Sequence, residues 1–419
     1  MRPYDIIGVG IGPSNLSTAA LLWPLRSSVN SIFFDDKKEF SWHPGLMFPY
    51  ARLQVSILKD LVTMLDPTSA FSFLNYLKER RELYIFAARN GFNKVTRREF
   101  ELYFKWVASK LENLSFNSAV DSISYKDELF TVVVNDKHYE TRNIIIGAGL
   151  TSNIPSYCQP FLSSSLFHSS QFLKQYNNYN NKSVAIIGGG QSSCEILKFI
   201  LSQEEKLLPS CINWIFRDHK LNILEDTPFA NELFTPNYSE YVFSLEDQKR
   251  AKLIEQEKFT SDGVSESTLF EIYELLYYTK FNTKCNIRIY NDSTLTGLSK
   301  TNDTYCLSLK SSIVEDVNAE IVILGTGFHY KIPACLESLS KEYHTDNGMF
   351  QIDKTFSLKP KSDIKGNIFI HNGAKHIRGL ADPNLSLIAW RSGVIINCLL
   401  GKEIYNVENE KSIINWSNP

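Results

Sequence analysis

The chain has 419 residues, of which 43% are hydrophobic and 21% are charged, and its formal net charge is −2. At about 100–200 residues per domain, this length predicts two or three domains, and the composition excludes wholesale disorder. The near-neutral balance excludes a strong electrostatic attraction to nucleic acid, and the apolar runs are too short for a transmembrane helix. Because Asp5 and a glycine-rich turn interrupt any signal-peptide core, we expect a cytoplasmic protein.

The first third of the chain predicts a strand, a glycine turn, a helix and a second strand. Tyr4–Val9 is a short apolar run, Leu16–Leu25 is apolar and helical in character, and Ser31–Asp35 is again apolar. Arg97–Leu111 has the apolar spacing of an amphipathic helix. Ala119–Gly149 then predicts short alternating strands that close on a Gly-Ala-Gly run.

The same order of elements begins again near residue 183. Ser183–Ile187 predicts a strand, Glu195–Leu201 a helix and Ile212–Phe216 the next strand. Short strands follow from Ile287 to Leu309, and Ile321–Leu324 leads into Gly-Thr-Gly. The chain therefore contains one plan twice, which predicts an α/β fold with two Rossmann-like dinucleotide-binding domains.

The second copy is interrupted by a polar segment that ends in a predicted amphipathic helix, Ser267–Phe281. We interpret residues 229–284 as a small helical insert that binds substrate. The remaining domain boundaries are placed where one copy of the repeated element order ends and the other begins or resumes. They give an FAD-binding domain of residues 1–165 plus 333–419 and an NADPH-binding domain of residues 166–228 plus 285–332.

The first glycine turn has the features of a dinucleotide-binding fingerprint. Gly8 permits the tight turn, and Gly10 lets a pyrophosphate approach the backbone at the start of the helix. Pro13 replaces the usual third glycine of this motif and is tolerated, because proline in a first helical turn loses no needed N–H. An acidic residue at the end of the second strand can accept the ribose hydroxyls. The candidate FAD-binding residues here are Gly8, Gly10, Gly12, Pro13 and Asp35.

The second glycine turn differs in two positions that indicate a different nucleotide. Ser193 stands where the third glycine is usual and is small enough for close helix–strand packing. Arg217 follows the next strand, where an acid would indicate NADH, and its guanidinium can pair with a 2′-phosphate. NADPH is therefore favoured, unless Arg217 is only a surface residue. The candidate NADPH-binding residues are Gly188, Gly190, Ser192, Ser193, Arg217 and Lys220.

The seven cysteines include no close pair of the kind that binds zinc or transfers electrons. Flavin-dependent disulfide reductases share the two-nucleotide plan but need a redox pair, so they are excluded. The histidines show no metal-ligand spacing, and no metal site is expected.

Several motifs resemble the flavin-dependent N-hydroxylating monooxygenases that act on lysine, ornithine and related amines in siderophore biosynthesis. The motifs are FSWHPG at 40–45, LKDLV at 58–62, GGGQSS at 188–193, FTP at 234–236, TSDG at 260–263, GTGF at 325–328 and LSLIAWRS at 385–392. The resemblance spans almost the whole chain and is greatest to the bacterial lysine N6-monooxygenase branch.

The resemblance implies a role for particular residues. Lys59 matches a lysine that meets the substrate carboxylate, and Gln54 matches a glutamine beside the flavin. Asn231 and Ser386 match residues near the substrate and the flavin, whereas Ser261 replaces a substrate asparagine of the ornithine enzymes. Flavin contacts are assigned to Trp42, His43 and Leu385.

Several of these residues also have a plainer interpretation, and His43 could be structural rather than a flavin contact. Lys59 could form a surface ion pair with Asp60, and Gln54 could be a hydrogen-bonding loop residue. Asn231 could cap a helix, and Ser386 could be a small packing residue.

The resemblance implies that NADPH reduces FAD, that O₂ adds to form a C4a-hydroperoxide, and that a neutral amine accepts its distal oxygen. L-lysine is favoured, and ornithine, putrescine, cadaverine and histamine remain open. A Baeyer–Villiger or sulfur monooxygenase would carry an F-x-G-x-x-x-H-x-x-x-W run. Phe161–Phe172 has the histidine but neither the glycine nor the tryptophan. A nucleotide-sensing module is the non-enzymatic alternative, and a homo-oligomer is expected from the family.

Overall fold

The computed structural model describes residues 2–89, 95–311, 316–346, 348–408 and 410–416. The β-strands in chain order are β1 (Ile6–Val9), β2 (Ser31–Phe34), β3 (Leu114–Ser115), β4 (Val120–Lys126), β5 (Leu129–Val134), β6 (Lys137–Thr141), β7 (Ile144–Ile146), β8 (Thr151–Ser152), β9 (Leu166–His168), β10 (Ser183–Ile187), β11 (Cys211–Ile215), β12 (Asn286–Tyr290), β13 (Thr294–Thr301), β14 (Thr304–Lys310), β15 (Asp316–Ala319), β16 (Ile321–Leu324), β17 (Phe328–His329), β18 (Thr345–Asp346), β19 (Met349–Phe350) and β20 (Ile368–Ile370). The α-helices are α1 (Pro13–Leu22), α2 (Phe73–Glu79), α3 (Leu83–Ala88), α4 (Arg97–Lys110), α5 (Phe172–Gln175), α6 (Gln191–Leu201), α7 (Pro228–Asn231), α8 (Pro236–Ser244), α9 (Asp247–Gln256), α10 (Phe259–Asp262), α11 (Glu266–Asn282), α12 (Lys375–Arg378) and α13 (Ile388–Leu400).

The first unit is built on a parallel sheet with the strand order β20-β7-β1-β2-β3. The central strand β1 pairs in parallel with β2 and with β7. All of its residues are buried, as expected for a strand that is covered on both faces. An antiparallel sheet of β4, β5 and β6 comes between β3 and β7 in the chain.

The second unit repeats this arrangement with a parallel sheet in the order β12-β11-β10-β16-β9. Its central strand β10 pairs with β11 and β16, and the antiparallel sheet of β13, β14 and β15 precedes β16. Helix α11 is the last helix before β12 and packs against α6. The prediction of an α/β fold with two Rossmann-like domains is confirmed.

A short two-stranded ribbon lies where the chain passes between the units. β8 follows β7 of the first sheet, and β17 follows β16 of the second. β8 and β17 pair antiparallel. The backbone N–H of Asn153 also donates to the carbonyl oxygen of Gly327 at 2.9 Å. The two crossings are therefore hydrogen-bonded to each other.

Several element boundaries differ from the sequence prediction. The first helix begins at Pro13 rather than Leu16, and it gives way to 3-10 geometry at Trp23–Leu25, where Pro24 removes a backbone donor. The second-unit helix begins at Gln191 rather than Glu195. In both cases the last glycine of the turn is itself the N-cap, so the helix starts directly after it. Among the described helices, none is long and apolar enough to cross a membrane.

A buried polar network ties α1 to the end of β20 and to α13. The Arg391 guanidinium donates to the Asp382 carboxylate at 2.7 Å, to His371 Nδ1 at 2.8 Å and to Asn372 Oδ1 at 2.9 Å. Because Arg391 can only donate, His371 Nδ1 accepts and its Nε2 carries the hydrogen. Nε2 lies 3.0 Å from Thr18 Oγ1 on α1. The network therefore requires a neutral histidine.

The free energy of unfolding should fall as the pH is lowered from about 6.5 to about 5. Burial, and then the charge of Arg391, lower the pKa of His371 well below its usual value. An unfolded histidine has a pKa near 6.5, so in this range the unfolded chain binds a proton that the folded chain does not. The stabilisation by the neutral ring is complete above about pH 6.5 and is lost below it, by up to ~1.4 kcal/mol per pH unit. Urea denaturation across this range measures the loss.

A His371→Gln variant is the control for this prediction. Glutamine keeps an acceptor for Arg391 and a donor for Thr18 but does not titrate. His43, His168 and His376, whose pKa values burial also lowers, remain in both proteins. The wild type should therefore lose more stability on acidification than the variant. Equal losses would show that titration of His371 is not the cause.

Candidate functional site

The first glycine turn packs directly on the end of the neighbouring strand. Gly10 has φ +85°, and a Cβ there would lie 2.6 Å from the carbonyl oxygen of Gly147. The Asn15 side chain donates to the carbonyl oxygens of Val9 and Gly10, at 3.0 and 2.7 Å. Gly12 is the N-cap of α1, and because glycine has no side chain, no side-chain hydrogen bond caps this helix start. The start of α1, with Pro13 in its first turn, thus leaves backbone N–H groups available to an anion such as a phosphate.

Asp35 lies just after β2 and is 5% exposed. Its carboxylate accepts from the backbone N–H of Ile11 at 2.6 Å and from that of Lys37 at 2.9 Å. Burial raises the pKa of Asp35, but these hydrogen bonds and the nearby Lys37 ammonium together lower it by more. The net effect is that the pKa lies below its usual value. The carboxylate is therefore ionised and held beside the glycine turn. Gly8 has a different role, since a Cβ there would meet the Phe33 ring.

The second glycine turn repeats the close approach of the first. Gly188 has φ +117°, and its Cβ would lie 2.2 Å from the carbonyl oxygen of Gly325. Ser193 is buried against Gly325, and its hydroxyl has no hydrogen-bond partner among the described residues. Gly190 is the N-cap of α6, and no described atom lies within 4 Å of the Cβ position. Gly190 therefore faces open space, whereas Ser193 faces the interior.

The other residues predicted at the nucleotide lie at the surface of the second unit. Ser192, in the first turn of α6, is half-buried, and Arg217 and Lys220 are exposed. The Arg217 guanidinium forms only a loose ion pair with Asp218, at 3.8 Å. These side chains are accessible to a ligand.

Trp42 and His43 stand beside each other in the first unit. Trp42 packs edge-on against Phe104 with ring centroids 5.3 Å apart. Protein atoms surround the His43 ring on most sides, although the residue keeps accessible surface. This burial, and then the charge of Arg97, lower the pKa of His43 to about 4, so the ring is neutral. Leu385 packs on the core of the first unit.

A cavity brings together residues that are far apart in the chain. The centre of a water molecule can reach about 30 Å³ of this cavity, which is partly open to solvent. Its walls contain Gln54, Asn231, Ser261 and Ser386, which the sequence analysis had singled out. The remaining lining residues are Val55, Leu224, Glu225, Asp226, Phe234, Thr260 and Asn384.

Hydrogen bonds orient several of these polar side chains. Ser386 Oγ donates to Asn384 Oδ1 at 2.8 Å, and Ser261 Oγ donates to Asp262 Oδ1 at 2.6 Å. Asn231 Nδ2 donates to Asp226 Oδ1 at 3.1 Å. Asn231 is the N-cap residue of the 3-10 helix Glu232–Phe234, but its side chain makes no capping hydrogen bond there. Its interpretation as a side-chain cap is therefore wrong.

Lys59 lies next to this cavity without forming part of its wall. Its ammonium is 5.7 Å from the centre of the Phe234 ring. Burial lowers the pKa of Lys59, and the charge of Asp226 raises it by less. A surface ion pair with Asp60 is not formed, because Asp60 is buried and accepts backbone N–H groups of Val62 and Thr63.

A buried ion pair joins the two units close to the cavity. Arg97, at the start of α4, donates to both carboxylate oxygens of Glu195 on α6, at 2.7 and 2.9 Å. Tyr50 OH also donates to the backbone carbonyl oxygen of Glu195 at 2.7 Å. Two parallel bonds of this kind fix orientation as well as distance, so the ion pair holds α6 against the first unit.

Sequence reasoning missed several cavity residues. Asn384 carried a signal, because Asn two residues before Ser386 is typical of a turn in which the side chain accepts a backbone N–H, as it does here at 2.9 Å. Glu225 and Asp226 lie in a polar segment with no motif. Phe234 was noted only as part of the FTP motif.

The fold and the site together define a class of protein: an α/β protein with two dinucleotide-binding folds and a polar cavity beside them. The family model described as L-lysine 6-monooxygenase/L-ornithine 5-monooxygenase matches residues 2–330. The chain belongs to this family of flavin-dependent N-monooxygenases, as the motifs predicted. The alternatives of a Baeyer–Villiger enzyme and of a binding module are set aside.

Relatives and solved structures agree with this assignment. The L-lysine N6-monooxygenase of Escherichia coli is 33% identical over 99% of each chain. The FAD-bound cadaverine monooxygenase of the desferrioxamine pathway in Erwinia amylovora is 29% identical, with a TM-score of 0.91, and the match covers 99% of this chain and 98% of that one. The ornithine N-hydroxylase of Kutzneria sp. 744, solved with reduced FAD, NADP⁺ and L-ornithine, is 29% identical with a TM-score of 0.88. That match covers 96% of this chain and 99% of the other.

Replacing Glu195 by alanine should destabilise the protein by about 2–4 kcal/mol, because Arg97 would remain as a mostly buried charge without its partner. Glu204→Ala is the matched control, since Glu204 forms an exposed ion pair with Lys206 that is worth at most about 1 kcal/mol. Urea denaturation of both variants measures the difference. Similar losses for both would mean that the Arg97–Glu195 pair adds little.

Proposed function

We propose that this protein uses FAD and NADPH to hydroxylate the terminal primary amine of a small aliphatic substrate, with L-lysine favoured, in hydroxamate siderophore biosynthesis. The observation that carries the proposal is the cavity, in which Gln54, Asn231, Ser261 and Ser386 meet. These are the residues to which the family resemblance assigned substrate and flavin contacts. Their convergence from separate segments supports a single site.

The two glycine turns fit the two dinucleotides. At the first turn, the uncapped start of α1 and the ionised Asp35 suit the pyrophosphate and ribose of FAD. At the second, the open space at Gly190 suits a pyrophosphate, and the accessible Arg217 suits the 2′-phosphate of NADPH. When bound, FAD reduced by NADPH supplies the activation of O₂.

The protein residues have the task of binding and orienting the amine. Ser386 uses its hydrogen toward Asn384, so its oxygen lone pairs can accept from an amine N–H. Asn231 uses its nitrogen toward Asp226, so its carbonyl oxygen is an acceptor as well. We assign catalytic contacts to Gln54, Asn231 and Ser386, and substrate contacts to Lys59, Asn231 and Ser261.

Lysine is favoured because of Lys59. A half-buried ammonium beside an aromatic ring and near the cavity is suited to a substrate carboxylate, with which it would form a charge-assisted hydrogen bond. The identity to the lysine N6-monooxygenase of Escherichia coli supports the same choice.

A diamine is the second candidate, and a specific observation favours it. Glu225 and Asp226 place two carboxylates in the cavity wall, where they could bind the second ammonium of cadaverine or putrescine. Asp226 is also the charge that raises the pKa of Lys59, so the two groups partly neutralise each other. The similarity to a cadaverine monooxygenase supports this alternative.

If lysine is the substrate, Lys59→Met should lower kcat/KM for lysine about ten- to a hundredfold, as expected for the loss of a charge-assisted contact of about 1.5–3 kcal/mol. Cadaverine, which is lysine without its carboxylate, should be a poor substrate and lose little further. Hydroxylamine product is quantified by mass spectrometry, with FAD, NADPH and O₂ supplied.

The isosteric variant Asp226→Asn is the matched control for the substrate. It should change kcat/KM for lysine less than Lys59→Met does. The diamine candidate predicts the opposite pattern, in which cadaverine is the better substrate, Asp226→Asn lowers its kcat/KM about tenfold or more, and Lys59→Met has little effect. Product from neither amine would leave ornithine, putrescine and histamine to be assayed.

Gly190→Ala and Gly188→Ala form a matched pair at the proposed NADPH site. The methyl group at Gly190 meets no described atom, so the variant should unfold at the wild-type temperature but bind NADPH at least about tenfold more weakly, since the methyl occupies space assigned to the pyrophosphate. Gly188→Ala should destabilise the fold itself, because of its positive φ and the contact with Gly325. Thermal unfolding and NADPH titration separate the two effects. Unchanged NADPH affinity in Gly190→Ala would place the nucleotide elsewhere.

The domain division given above is part of this proposal, and it is supported by β9, which begins at Leu166 and pairs within the second sheet.

We also propose a cytoplasmic location and a homo-oligomer. Helix α11 supports association between copies, because Phe270, Tyr273 and Phe281 are each more than 60% exposed.

A further inference from the structure

A chain of hydrogen bonds leads from the cavity to the second glycine turn. Gln54 Nε2 lies 3.2 Å from Ser265 Oγ, and the backbone N–H of Ser265 donates to Gln191 Oε1 at 2.9 Å. Gln191 Nε2 donates to Glu195 Oε1 at 2.9 Å. Glu195 in turn is held by both nitrogens of Arg97. A cavity residue of the first unit is thus linked to the first residue of α6, which follows Gly190.

The chemistry of its partners fixes the direction of the bonds that Gln191 makes. A backbone N–H can only donate and a carboxylate can only accept, so Gln191 has one possible orientation of its amide. Its nitrogen also lies 3.3 Å from Thr268 Oγ1, which is a side branch that does not lead to the cavity. The only ionised groups in this hydrogen-bond chain are Arg97 and Glu195, which neutralise each other.

Ser265 stands in a position where serine usually has another task. It is the N-cap of α11, and a serine there normally accepts a hydrogen bond from a backbone N–H of the first helical turn. That bond is absent at this helix start, and the hydroxyl accepts from Gln54 instead. Replacing Ser265 by alanine therefore removes the contact with Gln54 without removing a helix cap.

We propose that Ser265 and Gln191 are positioning residues that fix the orientation of the Gln54 carboxamide in the cavity. The proposal rests on the proposed function, in which Gln54 contacts the flavin and the reacting amine. Ser265 holds the Gln54 amide nitrogen directly, and Gln191 holds the backbone of Ser265 against α6. Gln54 is thereby placed relative to the second unit, although it belongs to a loop of the first.

The first test measures product formed per NADPH oxidised in Ser265→Ala. Loss of one neutral hydrogen bond should lower this coupling ratio about two- to tenfold, with a matching rise in hydrogen peroxide. The thermal unfolding temperature and the KM for NADPH should stay at wild-type values. Ser265→Thr, which keeps the hydroxyl, should restore the ratio, and Thr268→Val, which cuts only the side branch, should leave it unchanged.

A double-mutant cycle tests whether Ser265 acts through Gln54. In a Gln54→Ala background, Ser265→Ala should have no further effect on the coupling ratio. An equal effect in both backgrounds, or a parallel loss in Thr268→Val, would overturn the positioning role.

A crystal structure of FAD-bound Ser265→Ala provides a readout that does not depend on activity. The Gln54 carboxamide should adopt a new rotamer or several rotamers, and an unchanged rotamer would overturn the proposal. If the wild type hydroxylates no amine of the panel, the proposed function fails, and this structure still decides the positioning role alone.

Discussion

The structure depends on one constraint that occurs twice: a glycine turn must touch the backbone at the end of a neighbouring strand. In the first unit Gly10 approaches Gly147, and in the second Gly188 approaches Gly325, so closely that a Cβ would collide with the carbonyl oxygen. Each contact fixes the start of a helix beside the central strand, where a dinucleotide phosphate is bound most favourably. Two residues after each contacted glycine, Gly149 and Gly327 turn the chain with φ +80° toward the other unit. The same contacts therefore set both helix starts at which we propose that the nucleotides bind, and both crossings.

The cavity is lined by segments that are far apart in the chain. The part of the lining that contains Asn231 and Phe234 is supported by the C-terminal segment. Asn231 and Phe234 lie on the short helical segment before α8. The C-terminal segment packs across α8, with the Trp416 ring 4.6 Å from that of Tyr238, and the Ser412 hydroxyl donates to Glu232. Ser412 and Trp416 thus support this part of a site whose other residues include Gln54, from the first unit, and Ser386, which precedes α13.

Local patterns made most of the fold predictable, whereas long-range contacts did not. The repeated strand, glycine turn and helix follow from apolar periodicity and turn chemistry within a few residues. The helix starts were misplaced because the glycine of each turn is itself the N-cap. The family resemblance indicated Gln54 and Ser386, but nothing local links Gln54 to Ser265, which lies 211 residues away. Glu225 and Asp226 could not be found either, because exposed acidic residues are common in any polar loop.

The charges at the cavity affect the two ends of a substrate in opposite ways. An amine must lose its proton before its nitrogen can be oxidised, and a free alkylamine has a pKa of about 10.4. A nearby positive charge lowers that pKa, and a nearby carboxylate raises it. A positive charge at Lys59 would favour the neutral amine or bind a carboxylate, whereas the carboxylate of Asp226 would retain an ammonium. Asp226 also raises the pKa of Lys59, so the two charges partly offset each other. A substrate with a carboxylate would compensate the charge of Lys59, and a diamine would compensate the charge of Asp226.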